Sequence, residues 1–251
     1  MRSSQRATSS RNLPVLDLVP PERFYESVLS KKPKVAVFDC DGTLWQGDSG
    51  SEFMSWTIKT GVVSRERADW IGDRYQSYRE GRVSEVEICG DMVQMYAGLP
   101  EQQVREAARF FFQQNFECRI FPEMLQLTER LRANGAELWA VSSTNAWVVE
   151  EGCARFDIPS QRILAARVRV NNHTITSDLI DVPTGEGKAE SLRRAGITKP
   201  DVVFGNSVHD AAMLAMAAHA VAIHPSPELL ARVERDGWSI HLPAVQSVNP
   251  E

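Results

Sequence analysis

The order of apolar and polar positions along the chain separates two kinds of segment. Four runs are apolar or small at nearly every position: residues 35–38 ("VAVF"), 136–143 ("AELWAVSS"), 201–207 ("DVVFGNS") and 220–223 ("AVAI"). A strand apolar on both sides is covered on both faces, the condition of a parallel sheet. Between these runs the pattern turns helical. Met124, Leu127 and Leu131 recur at helix spacing and are closed by Asn134-Gly135, a helix stop. Residues 187–196 ("GKAESLRRAG") form a short run that starts and ends on glycine, and residues 209–220 ("HDAAMLAMAAHA") are rich in strong helix formers. Strands alternating with helices predict an α/β fold with a doubly wound, mostly parallel, Rossmann-like sheet.

One stretch breaks the alternation. Residues 50–118 hold no strand-like run, and Val104, Ala107, Ala108, Phe111 and Phe112 mark an amphipathic helix that opens after Pro100. The pattern predicts an all-helical cap inserted just after the first strand, placed to act as a lid. The α/β core then comprises residues 34–49 and 119–251, behind an N-terminal extension, 1–33, that is partly disordered. Residues 167–180 ("RVRVNNHTITSDLI") read as a β-hairpin turning on Asn171-Asn172.

Composition narrows the partners. A net charge of -5 over 251 residues gives no basic footprint for nucleic acid or an anionic membrane surface. No run approaches the ~18 apolar residues of a membrane span. The first dozen residues, rich in Ser and Arg, lack the apolar centre of a secretory signal; they allow a transit peptide but fit a disordered tail better. Cys40, Cys89, Cys118 and Cys153 are scattered without metal-ligand or disulfide spacing, which points to a reducing, cytoplasmic setting.

The chemistry collects at the carboxyl ends of the strands, where open α/β sheets bind ligands. The first strand runs into Asp39 and Asp41, the second ends in Ser142 and Ser143, and the third ends near Asn206 with Asp210 four residues on. Lys188 opens the helix before the third strand. Two like charges at the end of a buried strand repel unless a cation or a shared proton relieves them. Phosphoryl transfer suits this set: Asp39 as carboxylate nucleophile, Asp41 as acid and base, Ser142, Ser143 and Lys188 on phosphoryl oxygens. Mg²⁺ fits among Asp39, the Asp41 carbonyl, Asn206 and Asp210, because it takes oxygen ligands.

Asp39-x-Asp41-Gly-Thr-Leu after a buried strand, Ser142, Gly187-Lys188 and Gly205-Asn206-Ser207-x-x-Asp210, in that order, resemble the haloacid dehalogenase-like hydrolases. Within them the chain is similar to the phosphoserine phosphatase branch, whose helical cap follows the first motif. The resemblance implies a Mg²⁺-dependent phosphatase that hydrolyses a small phosphorylated metabolite through an aspartyl-phosphate on Asp39. Phosphoserine phosphatase proper, a phosphotransferase or phosphomutase, and a non-catalytic binding protein on the same fold are the alternatives.

The chain departs from the family's pattern at three positions. Asn206 stands where the family carries Asp, so the cation loses one charged oxygen. In an ungapped count, Asp48 and Gly90 fall where the phosphoserine enzymes have a Glu for the substrate's amine and an Arg for its carboxylate. Asp48 suits an amine, but Gly90 offers a carboxylate nothing, unless Arg74, Arg79 or Arg82 supplies the charge. A cationic or neutral phosphomonoester, such as phosphoethanolamine, phosphocholine or a polyol phosphate, is therefore expected to be preferred over phosphoserine. His209 is placed either as a surface group or as a substrate contact. Trp45, Trp56, Trp70 and Trp147 are either core or an aromatic cage for a quaternary ammonium. Cys40, between the two acids, is expected to point away from them into the core.

Overall fold

A computed structural model describes residues 20–244. The elements run α1 (Pro21–Leu29), β1 (Val35–Phe38), α2 (Ser49–Lys59), α3 (Arg65–Arg79), α4 (Glu85–Gln94), α5 (Glu101–Asn115), α6 (Pro122–Ala133), β2 (Glu137–Asn145), α7 (Ala146–Cys153), β3 (Ile163–Asn171), β4 (Thr174–Asp181), α8 (Glu186–Arg194), β5 (Val202–Gly205), α9 (Ala211–Leu214), β6 (His219–Ile223), α10 (Pro227–Asp236) and β7 (Ser239–His241). The seven strands form one sheet in the order β4-β3-β2-β1-β5-β6-β7. Neighbours are parallel except for the antiparallel pair β3–β4.

The unbroken apolar run of β1 is explained by its central place. Ala36 and Phe38 point into one core layer, and Val37 points into the other beside Val141, Val203 and Leu192. Phe38 lies in register with Phe204 on β5 and stacks on it, ring centroids 4.6 Å apart. This packing delivers the end of β1, where the paired acids follow, to the middle of the sheet's carboxyl edge.

Two expectations need correction. The hairpin turns on Asn172-His173, one residue later than expected: both have positive φ (46° and 63°), and Asn171 pairs with Thr174. Two left-handed residues are what a tight two-residue hairpin needs. The helix expected over 209–220 is α-helical only over Ala211–Leu214, because His219 must pair with Val202 in the sheet; tertiary pairing overrides propensity. Residues 20–33 of the extension carry α1, whose Phe24, Tyr25 and Val28 are buried. Arg130 on α6 pairs with Glu22 and lies over the Tyr25 ring. The rest of the extension, with the Ser- and Arg-rich tail, lies outside the described residues.

The four helices α2–α5 fill the stretch between β1 and β2 that lacked strands, and they are not equally independent of the sheet. Phe53 of α2 and Phe111 and Phe112 of α5 share one apolar cluster with Trp45, Val148 and Phe38. Backbone hydrogen bonds from Gly98 to Ile175, Ile175 to Leu99 and Glu101 to His173 tie the start of α5 to the hairpin. Cys40 and Cys153 are buried thiols with Sγ atoms 4.0 Å apart, so Cys40 does face the core. No described helix is long and apolar enough to cross a membrane.

Gly152 on α7 lets this packing close. A Cβ there would sit 2.6 Å from the Trp45 ring and 2.7 Å from Phe112. Overpacking of this kind costs about 1–3 kcal/mol. Gly152→Ala is therefore expected to lower Tm by several degrees in a thermal melt; an unchanged Tm would show that α7 is free to shift.

Candidate active site

The strand ends converge on a buried ammonium. Lys188, from the first turn of α8, places Nζ 2.6 Å from Asp39 Oδ1, 2.5 Å from Asp210 Oδ1 and 3.3 Å from the Val141 carbonyl. Its three donors thus reach groups following β1, following β5 and on β2. Asp39 is fixed at both ends: its N–H donates to Phe204 O at 2.9 Å, and its Oδ2 accepts from Thr43 Oγ1 at 2.9 Å. The second oxygen of Asp210 accepts from the N–H groups of Asn206 and Ser207 and from Ser207 Oγ. Asp39, Lys188 and Asp210 are all buried.

Asp41 is held by three donors. Trp45 Nε1 and the Ser49 N–H bind Oδ1, and Thr144 Oγ1 binds Oδ2, each at 2.7 Å. Thr144 reaches this place because β2 slips against β3: Ser142 pairs with Ala165, and Asn145 with the very next residue, Ala166. The surplus residues, Ser143 and Thr144, are thereby pushed toward the site. Neither Thr144 nor Trp45 was identifiable from sequence as an Asp41 partner, since the one depends on that slip and the other on the fold of a turn.

Electrostatics leaves the site short of positive charge. Burial, then the charge of Asp210, pushes the Asp39 carboxyl up to about 7, and Lys188 offsets only part of this. Burial and the charge of Asp48 push Asp41 up to about 6 against its hydrogen bonds from Ser49 and Thr144. Burial would lower the Lys188 ammonium, but Asp210 and Asp39 overcome it and raise it. Three carboxylates around one ammonium call for a further cation.

The donor set fits a hard divalent ion. Among the described residues no three His, Cys, Asp or Glu side chains form a metal cluster, so carbonyl and amide oxygens must complete any shell. Asn206 lines the cavity and lies against the backbone of the loop after β1. A Cβ on Gly42, at φ +76°, would sit 2.0 Å from Asn206 Nδ2, so the close approach requires glycine.

Two connected cavities open from this point. One, of about 220 Å³, is lined by Asp39, Asp41, Ser142, Lys188 and Asn206 among others. The second, of about 120 Å³, runs under α3 and α4, and Asp48, Glu85, Ser143 and Thr144 line both. Ser142 is buried, its Oγ accepting from the Thr144 N–H at 3.2 Å. Asp48 caps α2 through the Ser51 N–H. His209 lines the first cavity with Nε2 3.9 Å from Glu85.

Several expectations about the cap change here. Gly90 faces Leu179 and Val182 rather than the cavity, so it does not stand at a substrate position; the ungapped count failed because α4 turns that face onto β4. The wall is formed instead by Tyr75, Tyr78, Glu85, Ile88, Cys89 and Met92. Arg74, Arg79 and Arg82 line neither cavity, and Arg74 is paired with Asp91. None of the four tryptophans forms a cage there: Trp45 is buried on Asp41, Trp56 lies against Phe53, Trp147 lies against Tyr96, and Trp70 packs on the core. The capping box of Ser84 and Glu87 was the one sequence signal that could have placed Glu85 at a helix start.

A stability prediction follows from Asp39. Its folded value, about 7, lies above the model-peptide 3.8, so its protonated form favours the fold. That contribution is complete below the unfolded value and is lost as pH rises through the folded one. Without divalent cations, Tm is expected to fall between about pH 4 and about pH 7, and Asp39→Asn to flatten the fall. A wild-type fall matched in the variant would contradict this reading.

The family model for haloacid dehalogenase-like hydrolases matches residues 36–215. A histidinol-phosphatase of Neisseria meningitidis is 24% identical over 220 residues, covering 82% of this chain and 97% of that protein. A Bordetella pertussis protein of unknown function superposes with a TM-score of 0.73 at 19% identity, over 82% of this chain and 97% of its own. A probable phosphoserine phosphatase of Vibrio cholerae gives 0.63 at 16% identity, over 86% and 62%. With its sheet order, its strand-end acids and a family match over most of its length, the chain belongs to the haloacid dehalogenase-like hydrolases.

Proposed function

We propose that the chain is a Mg²⁺-dependent phosphatase that hydrolyses a small-molecule phosphomonoester through an aspartyl-phosphate on Asp39. The observation that carries this is the Asp39 carboxylate, aimed by Thr43 and Lys188 at a cavity that Asp41 also lines. An Asp39 oxygen attacks phosphorus, and the bond from phosphorus to the ester oxygen breaks. Asp41, held by Trp45, Ser49 and Thr144, gives its proton to the leaving alcohol. It then takes a proton from the water that attacks the acyl-phosphate, releasing phosphate and restoring Asp39. Lys188 offsets charge beside Asp39, and Ser142 and Ser143 line the place of the phosphoryl oxygens.

Mg²⁺ would be held by Asp39, the Asp41 carbonyl and Asn206, and would supply positive charge against the phosphoryl oxygens. Asp210 stood in the expected ligand set; it is fully buried and does not line the cavity that Asp39, Asp41 and Asn206 line. We assign it to orienting Lys188 and the Asn206 loop.

The second cavity favours a leaving group without a carboxylate. Asp48 and Glu85 face it, no Arg lines it, and Lys188 sits at the phosphate end. Burying an unpaired carboxylate beside two acids is costly. Histidinol phosphate, the substrate implied by the name of the Neisseria relative, carries an amine and an imidazole and no carboxylate, and it is the candidate we favour. The free thiols fit the reducing conditions of a cytoplasm.

Asp39→Asn is expected to remove nearly all p-nitrophenyl phosphate turnover while the fold persists by circular dichroism; activity within about tenfold of wild type would overturn the nucleophile. Asn206→Asp is expected to lower the Mg²⁺ concentration for half-maximal activity by adding a charged oxygen. An unchanged Mg²⁺ dependence would place Asn206 away from the metal.

A further inference from the structure

Glu85 is the acid that the catalytic chemistry does not use. It opens α4, and its Oε2 accepts from the Tyr78 hydroxyl. Among the described residues, the nearest side-chain donors to its Oε1 are the Cys89 thiol and His209 Nε2, each 3.9 Å away. The thiol is a weak donor, and His209 lies beyond the about 2.7–3.2 Å of an N–H bond, so this oxygen has room for a strong donor. The side chain is only 25% exposed and lines both cavities. The Cys89 thiol beside it is pushed up to about 12, by burial first and then by Glu85, so it is not a competing nucleophile.

The surroundings define what would meet that oxygen. Tyr75 and Tyr78 supply aromatic surface, and Ile88 and Met92 an apolar floor. Asp48 stands immediately before Ser49, whose N–H holds Asp41, and its charge acts on Asp41. Asp48 therefore lies toward the reacting end, and Glu85 toward α3 and α4. At 10–15 Å³ for each water-sized group, 120 Å³ holds roughly ten non-hydrogen atoms. Phosphoethanolamine, with a leaving group of about four, would leave it mostly empty. Two acids line this cavity, one from the start of α2 and one from the start of α4, and a single ammonium offsets the charge of only one.

We propose that Glu85, oriented by Tyr78, is a specificity-determining residue that binds a second basic nitrogen on the leaving group, while Asp48 takes the one nearer the ester. The leaving group is then an amino alcohol of roughly ten non-hydrogen atoms whose far end is a flat, protonatable ring lying against the tyrosines. A protonated nitrogen gains from an acceptor, an aromatic face and exclusion of water together. This inference rests on the phosphatase reading above and deepens it.

The test compares histidinol phosphate with phenylalaninol phosphate, which has the same amine and a ring of similar shape but no ring nitrogen. p-Nitrophenyl phosphate serves as the control for chemistry. Wild-type enzyme is expected to prefer histidinol phosphate by at least about tenfold in kcat/KM near pH 6.5, where the imidazole is substantially protonated. In Glu85→Gln, whose amide oxygen still accepts from Tyr78, KM for histidinol phosphate should rise about tenfold more than KM for phenylalaninol phosphate, with kcat little changed. Equal use of the two substrates by wild type overturns the proposal, as does a variant in which both KM values rise alike. If Glu85→Gln does not fold, the wild-type comparison still decides. If p-nitrophenyl phosphate is not hydrolysed at all, it is the phosphatase reading that fails.

Discussion

The ammonium of Lys188, shared between Asp39 and Asp210, is the interaction on which the rest of the site depends. It joins groups from four elements at one buried point: the loop after β1, the Val141 carbonyl of β2, α8, and the loop after β5. Removing the Lys188 ammonium would leave two buried carboxylates uncompensated, which is strongly destabilising, whereas neutralising Asp39 leaves Lys188 paired with Asp210. With every partner present, the site still holds more negative charge than positive. That imbalance has a use. On the proposed reading, it prepares a place for a divalent cation and, with it, for a dianionic phosphate.

On the proposed reading, chemistry and selection fall to different parts of the chain. The reacting groups sit on strand ends braced by the sheet, and α2 and α5 are packed into the same apolar cluster as that sheet. The walls of the second cavity come from α3 and α4, with Tyr75, Tyr78, Glu85 and Met92. The aromatic and acidic side chains of those two helices could be exchanged without touching Lys188 or Asp39, so one catalytic edge can serve different leaving groups. Asp41 is the exception, because its donor Thr144 lies on the wall of both cavities.

Features set by local burial were legible in the amino-acid order. β1 had to be apolar throughout because both its faces are covered, and Asp39, Asp41 and Lys188 were found by their place at strand and helix ends. Features set by register were not. The hairpin stretch "VNNHT" offers left-handed positions at either asparagine, and the pairing of Val170 with Ile175 decides for Asn172 and His173. Thr144 depends on a slip between β2 and β3. Gly90 and Glu85 share a helix, and only the way α4 rests on β4 determines which of them meets the cavity. Helix periodicity marks an apolar face without saying what lies beneath it.

The central claim is that phosphorus passes through Asp39, and trapping the intermediate tests it most directly. Asp41→Asn enzyme would be mixed with p-nitrophenyl phosphate and Mg²⁺, quenched in acid, digested and examined by mass spectrometry. The activated leaving group needs little help from an acid, whereas hydrolysis of the acyl-phosphate does need the base. One phosphoryl group is expected on the peptide containing Asp39, labile to hydroxylamine and absent in the Asp39→Asn/Asp41→Asn double variant. Turnover by wild type with no such adduct in the Asp41→Asn enzyme, or an adduct on any other residue, would contradict it.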